Sequence, residues 1–323
     1  MKRLAAPLAL VLLIFALSLA AADDDALSLV PPDAVAVGVL HVVDLRSSPL
    51  FDRVFAETDR ISGDAEAARF LEEVQLNPKQ DIDRIVVAGS PKSAGTGGGL
   101  AAFEGRFDAA KLAAAVAARG GVKKSVPGGD YVLLPDRGHG TGHEAGAVAF
   151  LSNRLIAAGN ESVLVQALAR RASGGGGFTS GTGLGASLSR VDAKASAWAL
   201  IDMARMPASH RETSHAGGDP SHAVLGAMKA VSLASFSVTV DGDALKLTAT
   251  GVSGDAEMRQ NLEDAVRGVL AVWRMTVQEK QPDLVPVLRR FQVTQGKDSV
   301  TLSGTLSGAM VRELAGRKEH VAR

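Results

Sequence analysis

The chain has 323 residues, with 35 basic and 35 acidic side chains, 46% hydrophobic residues and no cysteine. The charges are dispersed, which disfavours nucleic acid as a partner because phosphate backbones require a concentrated basic surface. The lack of cysteine excludes thiol catalysis and disulfide bonds. Since only 4% of residues are aromatic, the core must consist mainly of Ala, Val and Leu.

The N-terminal residues have the three-part pattern of a secretory signal peptide. Lys2 and Arg3 precede an apolar segment over 8–19, and three alanines at 20–22 form a cleavage site. The apolar segment is short for a membrane span. We therefore predict cleavage and export to the periplasm or the extracellular space, with membrane contact only before cleavage. An uncleaved membrane anchor is the alternative.

The first half is predicted to begin with a strand over Val35–Val43, followed by helices from Ser48 and over Ala65–Val74. Ile82–Ala88 and Leu100–Gly105 then alternate with the period of strands. The glycines at 95–99 connect two strands, which favours a hairpin loop over a phosphate-binding loop, because the latter leads into a helix.

Two predicted hairpins of this half lead into a helix, and a third, formed by Val122–Val126 and Tyr131–Leu134, leads into a polar loop. Asp108 is the predicted cap of the helix that follows the first hairpin. Ala147–Leu151 and Leu155–Gly159 form a later hairpin, and Asn160 is predicted to cap the helix behind it.

The clearest pattern of the second half is Val231–Val277. Two alternating segments flank Asp241-Gly242, a dipeptide that favours a two-residue hairpin turn. This turn places Phe236 opposite Leu247 on one apolar face. We expect the following helix to cover that face. Its apolar stripe consists of Met258, Leu262, Ala265, Val266, Val269, Leu270, Trp273 and Val277.

These units predict an α+β protein with antiparallel sheets built from repeated hairpin-plus-helix units, two similar halves, and helices packed on one sheet face. A final hairpin around Gly296-Lys297 sets Val293 opposite Val300. The similarity of 200–203 to 42–45 indicates a diverged duplication, with chance likeness of short strands as the alternative. The predicted boundaries are a signal peptide 1–22, a first half 23–172, a Gly/Ser-rich linker or loop 173–190, a second half 191–316 and a charged tail 317–323.

Two polar loops contain most of the histidines. Imidazole and carboxylate groups bind zinc or copper when three or four converge. Both loops are rich in glycine and serine, so nothing fixes ligand geometry. Solvated histidines are favoured over a weak zinc or copper site, and no cofactor is predicted. The candidate ligands are His139 and His143 beside Glu144, and His210, His215 and His222 beside Asp219.

Other catalytic patterns are weak. No Gly-x-Ser-x-Gly elbow follows a buried strand. Asp44 and Asp202 lie at the ends of predicted strands, where capping is favoured over a pair of catalytic carboxylates.

Four segments resemble a class of uncharacterised secreted bacterial proteins that are described as domains of unknown function. They are Val30–Ala34 before a strand, Gly105–Leu112, Ala149–Gly159 and an aromatic-led strand at Trp198. The resemblance implies an exported α+β protein and carries no catalytic residues.

We therefore predict an exported soluble protein that binds a protein or small ligand or acts as an envelope accessory factor. A metal-dependent or other hydrolase using the histidine loops is the alternative.

Overall fold

The structure is a computed structural model. It describes residues 25–46, 48, 65–91, 98–135, 144–175, 177–178, 181, 183–206, 231–280, 282 and 285–310. Within these residues the strands form one twelve-stranded sheet, and each pair of neighbouring strands is antiparallel. The predicted mixture of helices with antiparallel strands is confirmed, although one continuous sheet replaces the several that were expected.

The strands are β1 (Ala36–His41), β2 (Ile82–Gly89), β3 (Gly99–Gly105), β4 (Val122–Val126), β5 (Gly129–Leu133), β6 (Gly146–Phe150), β7 (Leu155–Asn160), β8 (Ala197–Asp202), β9 (Leu233–Asp241), β10 (Ala244–Val252), β11 (Gln292–Gln295) and β12 (Ser299–Leu306). The α-helices are α1 (Val42–Arg46), α2 (Ala65–Val74), α3 (Pro78–Asp81), α4 (Ala109–Ala118), α5 (Glu161–Ala172), α6 (Ala256–Lys280) and α7 (Val285–Arg289). Two 3₁₀ helices cover Ala26–Leu29 and Gly183–Arg190.

The strand order is β11-β12-β10-β9-β8-β1-β2-β3-β7-β6-β5-β4. Strands β1 and β8 lie side by side near the middle, where Gly38 is opposite Ala199 and Val39 is opposite Trp198. The described strands before residue 173 extend the sheet on one side from β1, and those after residue 190 extend it on the other side from β8.

One face of the sheet, here called the back face, carries Val37, Trp198 and Leu200. In the first half it is covered by α5, because Val163, Leu164, Ala167 and Leu168 pack into the same cluster as the strand residues. In the second half the back-face residues of β9, β10 and β12 are mainly Ser and Thr. Thr250 and Thr301 share a 3.0 Å hydroxyl hydrogen bond there.

The opposite face, here called the front face, carries Gly38, Val87 and Phe236. At one side α4 packs Leu112 and Ala115 over β5, β6 and β7. At the other side α6 packs Leu262 and Leu270 over Ala234, Val293 and Val300. Helices therefore cover both faces, and the prediction of helices on one face is wrong. The helices after two similar hairpins, α5 and α6, lie on opposite sides.

The pairing register of the β9–β10 hairpin is shifted by two residues from the predicted register. Its turn is Gly242-Asp243, with Asp241 paired to Ala244 and Phe236 opposite Ala249 rather than Leu247. Gly242 has a φ of 60°, the left-handed conformation that the first turn position of a type II′ hairpin requires. A two-residue shift keeps each side chain on its face.

The final hairpin shows the same two-residue shift, since Val293 pairs with Leu302 and Gln295 with Val300. Near the start of the chain, the strand predicted over Val35–Val43 ends at His41, where α1 begins. Asp44 therefore lies in a helix.

The segment predicted as a linker contains packed structure. Leu184 of the second 3₁₀ helix is buried in the core beneath the back face, and the rings of Phe178 and Trp198 lie 6.1 Å apart. The buried Ser235 hydroxyl donates to the Arg190 carbonyl at 3.1 Å. These contacts fix the end of 173–190 against β8 and β9.

Charged side chains lie at both outermost strands, supplied by α6 at β11 and by β4 itself. At β11, Arg267 donates to the Val293 carbonyl at 2.9 Å and Arg274 donates to the Phe291 carbonyl at 3.2 Å. At β4, Lys123 and Lys124 pair with Asp130 and Glu161. Charged edges of this kind hinder pairing with a strand of another molecule.

Candidate binding surface

The five predicted histidine ligands lie outside the described residues. His139 and His143 fall in 136–143, and His210, His215 and His222 fall in 207–230. Among the residues that the structure describes, no group of three or more His, Cys, Asp or Glu side chains is placed to hold a metal ion. The metal site remains a prediction.

The acidic neighbours of these loops have structural roles where they are described. The Glu144 carboxylate accepts a hydrogen bond from the Ser162 N–H at 2.7 Å, in the first turn of α5. Asn160, the predicted cap, instead accepts from the Gly99 N–H at 2.7 Å. Asp202 accepts from the Arg205 backbone N–H at 3.1 Å and its Nε at 2.6 Å. It closes the turn after β8, as the capping interpretation expected.

A charged cluster at one end of the back face anchors the start of the described chain. Arg84 donates to both Asp25 and Glu104, and Glu104 also accepts from the Ala26 N–H at 2.6 Å. Burial acts to lower the pKa of Arg84, but the bonds to Glu104 and Asp25 outweigh it and raise that pKa. The guanidinium stays charged, so this cluster holds the chain in place rather than transferring protons.

The front face contains a region whose apolar side chains are exposed to solvent. Val87 on β2 is 49% exposed and Phe236 on β9 is 42% exposed. Both lie on one row that crosses the sheet. The row consists of Ala158, Ala101, Val87, Gly38, Ala199, Phe236 and Ala249. We call the part formed by Val87, Gly38, Ala199 and Phe236 the open strip.

The middle of the open strip is recessed, because its central residues are smaller than those on either side. Gly38 and Ala199 form the floor, and a methyl group added at Gly38 would lie 3.1 Å from a Val87 methyl carbon. The next row contains Ile85, Leu40, Ala197, Val238 and Leu247. Since none of these described residues is charged, the surface matches an apolar ligand rather than an ionic one.

The open strip lies between the two helical layers of the front face. It crosses β2, β1, β8 and β9, a width of about 14 Å at the usual strand spacing. A helix with its side chains is about 10–12 Å in diameter. Helix α1 covers part of the row beside the strip, because Val42 and Leu45 pack against Leu40 and Ile85. The strip itself is wide enough for one helix or for a flat apolar molecule.

Phe236 is exposed because α6 lies over one end of its hairpin only. The side chains of Leu262 and Val231 both lie against Gly251. Val266 and Leu270 pack in the same cluster as Val293 of β11 and Val300 of β12. Helix α6 packs on Ala234 of this hairpin, as predicted. The prediction that α6 also covers Phe236 is wrong. The stripe is also exposed at both ends, because Met258 is exposed and Trp273 is 59% exposed.

Sequence patterns missed the open strip because periodicity does not show which part of a face a helix covers. The sequence contained no usable signal for it, because the row that carries the strip crosses strands that are known to be neighbours only from their pairing.

Comparison with known proteins supports the fold alone. The structure is similar to crystal form III of TP0453, with a TM-score of 0.52 and 11% identity, over 90% of this chain and 98% of that chain. Crystal form IV gives a TM-score of 0.50 and 11% identity, over 90% of this chain and 95% of that one. The chain has a TP0453-like fold. No family model and no curated protein matches the sequence.

Among the helices of the described ranges, none has both the length and the apolar character that a membrane span requires.

Proposed function

We propose that this chain is an exported, non-catalytic binding protein, and that a protein segment or an apolar ligand packs on the open strip. The observation that supports the proposal is the exposure of Val87 and Phe236 in the middle of a face whose two sides are covered by helices. Contiguous apolar surface of this kind is typical of interaction sites. Because both side chains are already about half buried, burying the rest would contribute roughly half of the 1.5–3 kcal/mol expected for a fully exposed apolar side chain.

We also infer that the two halves arose by duplication. The succession β1-β2-β3 and then α4 is matched by β8-β9-β10 and then α6, with β1 and β8 adjacent and antiparallel. Both helices lie on the front face. Under this proposal the open strip lies at the junction of the two repeats, and the flanking helices are equivalent elements.

Site-specific photocrosslinking tests the binding surface. Two variants are produced in cells. A photoreactive amino acid replaces Phe236 in the first variant and Val122 in the second. Val122 is the matched control because it is 55% exposed but lies on edge strand β4. We expect one discrete adduct from position 236 and none from position 122.

The proposal also predicts the effect of polarity at the same surface. Val87→Gln and Phe236→Gln together should remove the adduct formed from a reporter at Ala199, whereas Val122→Gln should leave it intact. An adduct of equal yield from positions 236 and 122 would contradict a specific surface, as would an adduct that survives the paired substitution.

Two further measurements separate this function from the alternatives. The hydrolase hypothesis requires stoichiometric zinc or copper that is lost when His139, His143, His210 and His215 are replaced by Ala. A metal-free protein whose melting temperature is unchanged by chelator excludes that hypothesis. N-terminal sequencing of the exported product should begin at residue 23, whereas an intact N-terminus would indicate a membrane anchor.

A further inference from the structure

A recess lies at the outer edge of the sheet, away from the open strip. It has a volume of about 380 Å³ and is formed by one side of α6 and by the edge strand β11. Arg267, Leu270 and Arg274 line it from the helix, and residues 291–294 line it from the strand. The recess is therefore built from described residues of two packed elements.

The two arginines are held in place by hydrogen bonds that use only part of each guanidinium. Arg267 donates through Nε and Nη2 to Glu263, at 2.8 and 2.6 Å, and through Nη2 to the Val293 carbonyl. Arg274 donates through Nε and Nη2 to the Leu288 carbonyl, at 3.3 and 3.0 Å, and through Nη2 to Phe291. The Nη1 group of neither arginine takes part in these bonds. Each Nη1 carries two N–H donors.

Among the described residues that line the recess, the charged side chains are the two guanidinium groups. The carboxylate that pairs with Arg267 is that of Glu263. The partners of Arg274 are neutral carbonyl groups. Two further cations, Arg289 and Arg290, lie at the C-terminal end of α7, which packs on α6. The described lining of the recess therefore carries positive charge.

We propose that this recess binds an oxyanion, meaning a carboxylate or phosphate group of a small ligand. Planar guanidinium groups whose Nη1 donors bond to none of the described residues match the oxygen atoms of both anions. Gln292 and Thr294 add neutral hydrogen-bonding groups to the lining, and Leu270 and Phe291 give an apolar wall for the carbon part of the ligand. The site is distinct from the open strip and does not depend on the function proposed for it.

Calorimetric titration with inorganic phosphate and with succinate, at constant ionic strength and with chloride as the reference anion, tests the proposal. The wild-type protein should bind at least one of the two oxyanions. Arg274→Gln should weaken binding about tenfold or more, because a charge-assisted hydrogen bond is lost. Arg69→Gln, which alters an exposed arginine of α2, should bind as the wild type does.

Arg274→Lys provides a second variant that keeps the positive charge but lacks the planar pair of donors. It should bind more weakly than wild type and more tightly than Arg274→Gln, with circular dichroism confirming that both variants fold. Preference for phosphate or for succinate identifies which oxyanion the site takes. If neither anion binds above chloride, or if Arg274→Gln binds as wild type does, the arginines only cap the edge strand and the proposal is wrong.

Discussion

Helices α5 and α6 follow two similar hairpins but have different relations to the sheet. Leu164 and Leu168 of α5 are completely buried, and the strands beneath them present mainly alanine. Helix α6 is about twice as long, yet its buried contacts are concentrated around Leu262 and Leu270, and Trp273 is exposed.

The two helices differ because of the strand residues beneath them. Small strand residues allow α5 to approach the sheet closely along its length. On the front face, small residues at Gly38 and Ala199 lie where neither α4 nor α6 forms the main core clusters. Small strand residues therefore underlie a dense core beneath α5 and an accessible surface at the open strip.

The largest expected effect is loss of the α5 core. Leu164→Ala removes a fully buried side chain from a cluster that joins both halves of the sheet. We expect the free energy of unfolding to fall by about 3–5 kcal/mol, measured by urea denaturation. A loss below about 1 kcal/mol would show that α5 does not form the main core.

The second effect compares two positions on α6. Leu262→Ala should cost about 2–4 kcal/mol, because Leu262 is 4% exposed between Val231 and Gly251. Trp273→Ala, on the same helix face, should cost less than about 1 kcal/mol. Equal losses in thermal or urea unfolding would contradict the conclusion that the C-terminal part of the stripe is uncovered.

A smaller effect is expected on the open strip. Phe236→Ser should change the free energy of unfolding by less than about 1.5 kcal/mol, since the side chain is already partly in water. The same substitution should reduce fluorescence of a bound apolar dye, which Val122→Ser should leave unchanged. A large destabilisation would indicate that Phe236 belongs to the core rather than to a binding surface.

The smallest effect concerns pH at the start of α5. Hydrogen bonds from Lys124 and Tyr131 lower the pKa of Glu161. Because its folded pKa is depressed, Glu161 stabilises the fold above its unfolded pKa of about 4.3. This contribution is lost as the pH falls through the lower, folded pKa. Glu161→Gln should therefore show a shallower decline of melting temperature below pH 4.3 than wild type, whereas an identical decline would contradict this role.

Periodicity in the sequence was sufficient for much of the fold. Alternation predicted β2, β3, β9 and β10, and the stripe predicted a helix after the last of them. Turn positions were less certain, because Asp241-Gly242 and Gly242-Asp243 both suit a two-residue turn. Only the paired strands showed that glycine occupies the first turn position.

The candidate surface was not predictable in the same way. The exposure of Val87 and Phe236 depends on strands that are far apart in the sequence and adjacent in the sheet. The arginines at β11 also act across a long distance in sequence, since Arg267 bonds to a carbonyl 26 residues away. Local spacing contains no information about these neighbours.

The sequence by itself determined the alternating strands, the helical stripe of Leu262, Val266 and Leu270, the lack of disulfides and the balanced charge, because each of these follows from residue type and short-range period. The tertiary structure alone decided that β1 and β8 join the halves into one sheet, that α5 and α6 lie on opposite faces, and that Val87 and Phe236 are exposed. These properties depend on which distant strands pair and on how far each helix extends over them.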